Sequence, residues 1–289
     1  MASPLVRELI DCGVHFGHRA SRWNPKMQPY ILNKRNGIHV FDIRETVKGL
    51  LRAKKFLAAV VAQGHDVLIV GTKRQARDIV AKQALRVGMH YVSERWLGGT
   101  LTNFKTIRSR LARLEELEKL HETGEIAAYS KKMKSIIDRE LNKIKRNLDG
   151  IRRMTRLPGA LVIVDVHREH IAVREARKLG IPTVAIVDTD SDPDGVDIVI
   201  PGNDDAMRAI ELVITQLADA IEEGKRGRAA AEAASPGGAE GGPARPRRQQ
   251  RLTITQLAEQ QAGEAGAAEE ASAAADSAAT LAPTPEATA

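Results

Sequence analysis

The sequence contains one cysteine, Cys12, and few aromatic residues, 3% of the total. A single cysteine excludes a disulfide framework and a cysteine-rich zinc site, and it is typical of a reducing compartment. No window approaches the roughly 20 apolar residues of a membrane helix, and Glu8 and Asp11 interrupt the apolar stretch at the N-terminus. We therefore expect a soluble, cytoplasmic protein. Because repeated base-stacking platforms are excluded, binding to nucleic acid would depend on charge.

The charge is unevenly distributed along the chain, although the net value is only +7 over 289 residues. Residues 1–156 carry 32 Lys and Arg against 15 Asp and Glu, whereas residues 157–224 carry 5 against 14. This layout predicts a polyanionic partner on one side of the molecule. A solvated charged face is the alternative for the basic residues.

The composition changes after Gly224, because 21 of the last 65 residues are Ala and only four are large aliphatic residues. Such a segment cannot bury a core. We expect residues 225–289 to be a disordered, Ala-rich tail.

Short runs rich in Val and Ile alternate with amphipathic stretches before residue 225. Nearly continuous apolar runs indicate strands covered on both faces, as in the parallel sheet of an α/β protein. The predicted strands are Val67–Val70, Met89–Val92, Ala160–Val164, Pro182–Val187 and Ile198–Ile200. The predicted helices are Asp42–Gln63, Thr72–Val87, His167–Leu179 and Asp204–Glu223, with Gly88, Gly180 and Gly224 at C-terminal ends.

Residues 104–156 interrupt this alternation with two series of heptad-spaced apolar residues. The series are Phe104, Ile107, Leu111, Leu114 and then Ile137, Leu141, Ile144, Leu148, Ile151. The break at residues 122–124 allows the two helices to fold back as an antiparallel coiled-coil hairpin. The hairpin would then be an insertion in a discontinuous α/β domain formed by residues 1–103 and 157–224.

No catalytic motif is evident. The turn after the first clear strand, Val70–Arg74, matches neither nucleotide-binding glycine pattern, although Lys73 and Arg74 could meet a phosphate. Among the eight histidines, none forms the H-E-x-x-H zinc motif.

A nucleotide-dependent α/β enzyme is the alternative function, and saturable ATP or NAD binding would favour it. A protein-only scaffold is a third possibility, which predicts partner binding insensitive to salt.

Several exact strings stand out. They include residues 9–18 (LIDCGVHFGH), 23–27 (WNPKM), 70–74 (VGTKR), 95–103 (RWLGGTLTN), 187–197 (VDTDSDPDGVD) and 200–206 (IPGNDDA). In their order and spacing these strings closely resemble the bacterial small-subunit ribosomal protein S-two family, over residues 3–225. The Ala-rich tail has no counterpart in this pattern.

The resemblance implies a flavodoxin-like α/β fold, a parallel sheet flanked by helices, with an inserted antiparallel coiled-coil hairpin. It also implies a structural constituent of the small ribosomal subunit that binds small-subunit ribosomal RNA near the junction of head and body. Contacts with neighbouring ribosomal proteins and recruitment of ribosomal protein S-one, hence messenger RNA, are implied as well. We expect no enzymatic activity, cofactor, DNA partner or membrane partner.

Cations on loops and on the hairpin are the candidate contacts to RNA phosphates. They are Arg19, Arg22, Lys26, Lys34, Arg35, Lys73, Arg74, Arg95, Lys105, Arg108, Arg113, Lys131, Lys132, Lys134, Lys143, Lys145 and Arg146. The candidate structural anchors are Trp23, Trp96, Gly98, Gly99 and Asn103. The two glycines permit close backbone approach or a positive φ, and Asn103 can cap the first hairpin helix.

Four aspartates at alternate positions, Asp188, Asp190, Asp192 and Asp194, precede Gly195. Aligned as an EF-hand loop, the string lacks a carboxylate at the twelfth position, which excludes that motif. A looser cation site including Asp204 or His18, or a metal-free turn, remains. Of these we expect the metal-free turn.

Overall fold

The computed structural model describes residues 4–233. Eight strands occur in chain order: β1 (Phe16–Arg19), β2 (Ile31–Arg35), β3 (Ile38–Phe41), β4 (Val67–Val70), β5 (His90–Val92), β6 (Ala160–Val164), β7 (Thr183–Val187) and β8 (Ile198–Pro201). Seven α-helices accompany them: α1 (Pro4–Asp11), α2 (Ile43–Ala62), α3 (Arg77–Arg86), α4 (Phe104–Glu122), α5 (Lys131–Leu148), α6 (His170–Leu179) and α7 (Met207–Ala233). No helix among these residues is long and apolar enough to cross a membrane.

The large sheet has five parallel strands in the order β5-β4-β6-β7-β8. Every residue of β4, β6 and β7 is buried, as expected of strands covered on both faces by helices. Helix α2 packs on α7 and β8, and α3 packs on α7 and β5. The predicted flavodoxin-like α/β fold is confirmed.

A second, antiparallel sheet of three strands, in the order β1-β3-β2, lies near the N-terminus. The sequence did not predict it, because β1 and β2 are short and mostly exposed and lack an apolar run. Cys12 is half-buried near α1 and packs against a small cluster that contains Leu9, Val14 and Ala209.

Three helices begin later than predicted, because the residues after each strand form hydrogen-bonded turns. Helix α3 starts at Arg77 rather than Thr72, since the Lys73 carbonyl first accepts from the backbone of residues 76 and 77. Helix α7 starts at Met207, after the side chain of Asn203 accepts from the amides of residues 205 and 206. Helix α6 likewise starts at His170.

The hairpin prediction is confirmed. Helices α4 and α5 pack together through their heptad positions, with Leu111 and Leu114 of α4 and Ile137, Ile144 and Leu148 of α5 buried. At the hairpin base these residues join a hydrophobic cluster that extends into the sheet. The arm is therefore fixed to the α/β domain by its apolar seam.

The predicted helix end at Gly224 is wrong, because α7 continues to Ala233. A Cβ atom at Gly224 would lie 2.6 Å from the Ala58 carbonyl oxygen of α2, so this glycine allows close helix packing and does not end a helix. Residues 225–233 therefore belong to α7 rather than to the predicted tail. The remainder of that predicted tail, 234–289, lies outside the described residues.

Two glycines of α7 give a matched pair of substitutions. Gly224→Ala should destabilise the domain by about 1–3 kcal/mol, because the added methyl group overpacks the α2 backbone. Gly227→Ala should leave stability unchanged or raise it by up to about 1 kcal/mol, because nothing lies within 4 Å of its Cβ position and alanine favours the helix. Urea unfolding measures both changes, and equal effects would contradict the packing role of Gly224.

Candidate nucleic-acid interface

Five predicted RNA-binding cations lie on the small N-terminal sheet and its loops, and all five side chains are exposed. Arg19 ends β1, Arg22 and Lys26 lie on two short 3-10 helices, and Lys34 and Arg35 end β2. A turn follows β2, since both residues after Arg35 have a positive φ. The small sheet thus presents its cations at the end of β1, between β1 and β2, and at the end of β2.

Lys26 differs from its neighbours because it is already paired. Its Nζ lies 2.8 Å from an Asp192 carboxylate oxygen and 2.6 Å from an Asp194 carboxylate oxygen. The hydrogen bonds to these two carboxylates raise the pKa of Lys26. Lys26 therefore joins the N-terminal loop to the acidic loop, and we do not retain it as a phosphate contact.

Trp23 anchors this loop. Its ring is half-buried and lies 5.1 Å from the ring of His39, which is itself buried. The amide of the next residue, Asn24, donates to the Thr189 carbonyl over 2.7 Å. The anchoring role predicted for Trp23 thus has a structural basis between the small sheet and the loop after β7.

The hairpin cations divide into paired and unpaired groups. Arg113 pairs with Glu116 and Glu140, Lys145 with Glu118, and Arg146 with Glu94. The Arg108 guanidinium lies 3.4 Å from the Thr155 carbonyl, to which it donates. The remaining predicted cations of the hairpin form no ion pair within residues 4–233: Lys105, Lys131, Lys132, Lys134 and Lys143.

The two cations after β4 have different surroundings. Lys73 is largely buried, with Nζ 2.7 Å from carboxylate oxygens of both Asp204 and Asp205 and 3.5 Å from Asp165. Burial alone would lower the pKa of Lys73, but the neighbouring carboxylates outweigh burial and raise it. Arg74 is exposed. Lys73 therefore neutralises carboxylates inside the protein, and only Arg74 faces solvent.

The loop between β5 and α4 is organised by a residue that the sequence did not single out, Glu175 of α6. One carboxylate oxygen accepts from Trp96 Nε1 (3.2 Å) and the Gly99 amide (2.7 Å). The other accepts from the amides of Leu101 (2.9 Å) and Thr102 (3.1 Å). Burial would raise the pKa of Glu175, but these donors outweigh it and lower the pKa. The sequence offered one signal for this role, an acidic residue among the apolar positions of α6 that face the core.

The predicted anchors of this loop are partly corrected. Trp96 is buried and Gly99 has a φ of +90°, as expected of structural positions. Gly98 has neither a positive φ nor a neighbour within 4 Å of its Cβ position, so neither reason for a glycine applies there. Asn103 precedes α4 but makes no side-chain cap, because its oxygen accepts from the Thr106 hydroxyl over 2.8 Å instead.

Glu175→Gln should destabilise the domain at pH 7 by about 1.5–3 kcal/mol, since the amide nitrogen of Gln cannot accept from the loop donors. The folded-state pKa of Glu175 is lowered, so its contribution is present above the unfolded pKa of about 4.3 and is lost as pH falls through the folded value. The difference between wild type and variant should therefore shrink at acidic pH. Denaturant unfolding at several pH values measures it, with exposed Glu115→Gln as the control.

The aspartate string after β7 does not form one site. Asp192 and Asp194 face Lys26, and Asp192 also accepts from the Asp194 amide at the start of a short helical turn. Asp188 is buried and faces the interior instead, where one of its oxygens lies 3.0 Å from His18 Nδ1. The hydrogen bond to Asp188 raises the pKa of His18 to about 9.

His18, Asp188 and Asp204 each offer one ligand atom, and these atoms lie within 4.8 Å of one another. His18 Nε2 lies 3.2 Å from Asp205, and one Asp204 oxygen is buried without a hydrogen-bond partner in the described part of the chain. Burial, with the charge of Asp188, raises the pKa of Asp204. One imidazole and two carboxylates are donors that a divalent cation accepts. These three atoms are therefore close enough together for the looser cation site, and the metal-free turn stays a prediction.

Comparison with known proteins decides the family. A family model described as ribosomal protein S2 matches residues 9–224, three quarters of the chain. The chain belongs to the ribosomal protein S2 family. The resemblance drawn from the sequence strings is thereby confirmed, and the match ends at Gly224, before the Ala-rich tail.

Curated relatives agree with this membership. A small ribosomal subunit protein uS2 from Rhodopirellula baltica is 60% identical over 81% of this chain and 90% of its own length. Proteins of the same name from Acidothermus cellulolyticus and Syntrophobacter fumaroxidans are 53% and 52% identical, over 81% and 78% of this chain and 85% and 82% of their own lengths. The chain is therefore a ribosomal protein, from a family of ribosome components rather than of enzymes.

The structure adds a physical argument against the nucleotide-dependent enzyme. That alternative depended on the turn Gly71–Lys73, where a lysine would reach the phosphates of a nucleotide. Lys73 is instead held by three carboxylates, and the Thr72 hydroxyl donates to buried Glu169. Neither side chain is free to hold triphosphate in the manner of a phosphate-binding loop.

Proposed function

We propose that this protein is a structural constituent of the small ribosomal subunit that binds small-subunit ribosomal RNA through residues 1–156. The proposal includes a position near the junction of head and body, in the cytoplasmic ribosome, and contacts with neighbouring ribosomal proteins. Recruitment of ribosomal protein S-one, and with it messenger RNA, is the part supported by the family resemblance alone. Membership of the family and the distribution of charge along the chain support the proposal.

The observation that carries the RNA-binding part is the number of unpaired cations in residues 1–156. Twelve of the seventeen predicted cations form no ion pair within residues 4–233: Arg19, Arg22, Lys34, Arg35, Arg74, Arg95, Lys105, Arg108, Lys131, Lys132, Lys134 and Lys143. Cations without an ion-pair partner can approach phosphates without breaking an existing ion pair, whereas paired cations must first break one, which costs free energy. The basic half is therefore available to a polyanion.

RNA binding of this type depends on backbone and shape rather than on sequence. Base edges are hidden in the deep major groove of A-form RNA, and the chain has few aromatic residues for stacking on unpaired bases. Contacts to phosphates fix position and supply most of the affinity. The protein would thus recognise the folded arrangement of ribosomal RNA helices.

Binding to small subunits that lack this protein should weaken steeply with salt. Each neutralised phosphate contributes a slope of about 0.7–0.9 in the logarithm of affinity against the logarithm of salt concentration. Co-sedimentation across a series of salt concentrations measures the slope. Affinity that does not change with salt would contradict RNA binding and favour a protein-only scaffold.

Charge reversal at the start of α5 tests the hairpin surface. Lys131→Glu, Lys132→Glu and Lys134→Glu together should weaken incorporation into small subunits by at least tenfold, because three phosphate contacts become repulsive. Melting should change little, since these residues lie outside the buried seam.

A triple variant of α6 serves as the matched control. Arg174→Glu, Arg177→Glu and Lys178→Glu remove the same charge from three exposed residues in the acidic half of the chain. Incorporation of this variant should stay close to that of the wild type. If both triple variants lose incorporation equally, net charge decides binding and the hairpin surface is not specific.

A further inference from the structure

A cavity of about 690 Å³ opens between the large sheet and the hairpin. Thr72, which follows β4, lies on one wall, and residues 94–96, which follow β5, lie on the next. Arg168 and Glu169, which follow β6, complete the sheet side, and residues 142–147 of α5 form the opposite side. The cavity is thus built by the carboxyl ends of three neighbouring strands under one face of the arm.

The topology makes this a favoured place for a ligand. From β4 the chain passes outward to β5, and after the hairpin it returns to the other side of β4 as β6. The strand order therefore reverses between β4 and β6. In open parallel sheets, ligands bind in the crevice at the carboxyl ends of the strands on either side of such a reversal.

The lining of the cavity has a surplus of positive charge. Five cations line it, Arg77, Arg95, Lys143, Arg146 and Arg168, together with two carboxylates, Glu94 and Glu169. The Glu94 carboxylate is shared, with distances of 3.2 Å to Arg77 and 2.7 Å to Arg146. Across residues 4–233, the other three cations have no ion-pair partner.

A hydrogen-bond relay holds one of these three cations in place. The buried Glu169 carboxylate accepts from the Thr72 hydroxyl, and the same hydroxyl oxygen accepts from Arg168 Nε over 3.0 Å. Burial raises the pKa of Glu169, which favours its uncharged form. The relay thus orients the Arg168 guanidinium group at the cavity.

We propose that this cavity binds the phosphate group of a nucleotide, with Arg95, Lys143 and Arg168 as its charged contacts. A volume of about 690 Å³ is within the range of small-molecule sites and accommodates a whole nucleotide. Guanidinium groups match the geometry of phosphate oxygens, and an unpaired ammonium group adds charge. The nucleotide is either free or part of ribosomal RNA, and in the second case the inference rests on the proposed function.

The first arm of the test uses small probes and the purified full-length chain. Isothermal titration calorimetry with ADP and with inorganic pyrophosphate should show saturable binding of one molecule per chain. The double variant Arg95→Ala, Lys143→Ala should weaken this binding at least tenfold. The double variant Arg177→Ala, Lys178→Ala removes equal charge from two exposed residues of α6 that do not line the cavity, and it should bind as the wild type does.

The second arm uses ribosomal RNA in small subunits that lack this protein. Phosphate-ethylation interference should identify individual phosphates whose modification blocks binding of the wild type. If the RNA backbone supplies the phosphate, the cavity double variant should lose interference at one or two adjacent positions and keep the others. The Arg177, Lys178 variant should keep the complete pattern.

The two arms separate the sources and the possible failures. Binding of ADP or pyrophosphate that is lost only in the cavity variant supports a free nucleotide, and selective loss of interference supports the RNA backbone. Absence of both effects overturns the inference, as does a uniform weakening of all interference positions. A wild-type chain that binds no subunits contradicts the proposed function instead, and the calorimetric arm still decides the cavity. Melting curves of each variant verify that it is folded.

Discussion

The hydrogen bonds of the Glu175 carboxylate fix the loop that connects the α/β domain to the hairpin. This one side chain of α6 fixes the loop that leaves β5 and enters the hairpin, through the indole of Trp96 and the amides of residues 99–102. The direction of α4 follows from that loop, since α4 begins at Phe104. Because Trp96 also lines the cavity between sheet and hairpin, the shape of that cavity depends on the same carboxylate.

Internal pairing decides which charges face outward. The carboxylates after β7 and β8 hold Lys26, Lys73 and His18, so much of the acidic half satisfies its charge inside the domain. On the basic half, twelve of the seventeen predicted cations lack an ion-pair partner in the described residues. Pairing thus removes part of the acidic charge but leaves most basic side chains available.

The elements that the sequence predicted are those with a strong local pattern. Strands buried on both faces require uninterrupted Val and Ile, and a two-helix seam requires heptads, so β4, β6, β7 and the hairpin were evident. The small N-terminal sheet lacks such a pattern because its strands are short and half exposed. Gly224 was misinterpreted because a glycine required by a neighbouring helix has the same appearance in sequence as one that ends a helix.

The charge of the site could be predicted from the sequence, but the contacts between its residues could not. The distribution of charge along the sequence showed that cations are concentrated in residues 1–156. It could not show that Lys73 faces Asp204, 131 residues away, or that Arg168 and Lys143 line the same cavity. Those contacts exist because parallel strands bring the residues after their carboxyl ends to one edge of the sheet, whatever their separation in sequence. At that edge, a lysine surrounded by three aspartates is neutralised, whereas arginines that meet only one shared glutamate keep a surplus of charge. The same topology therefore produces an internal ion-pair cluster from residues that follow β4, β6 and β8, and a cavity with a surplus of positive charge from residues that follow β4, β5 and β6.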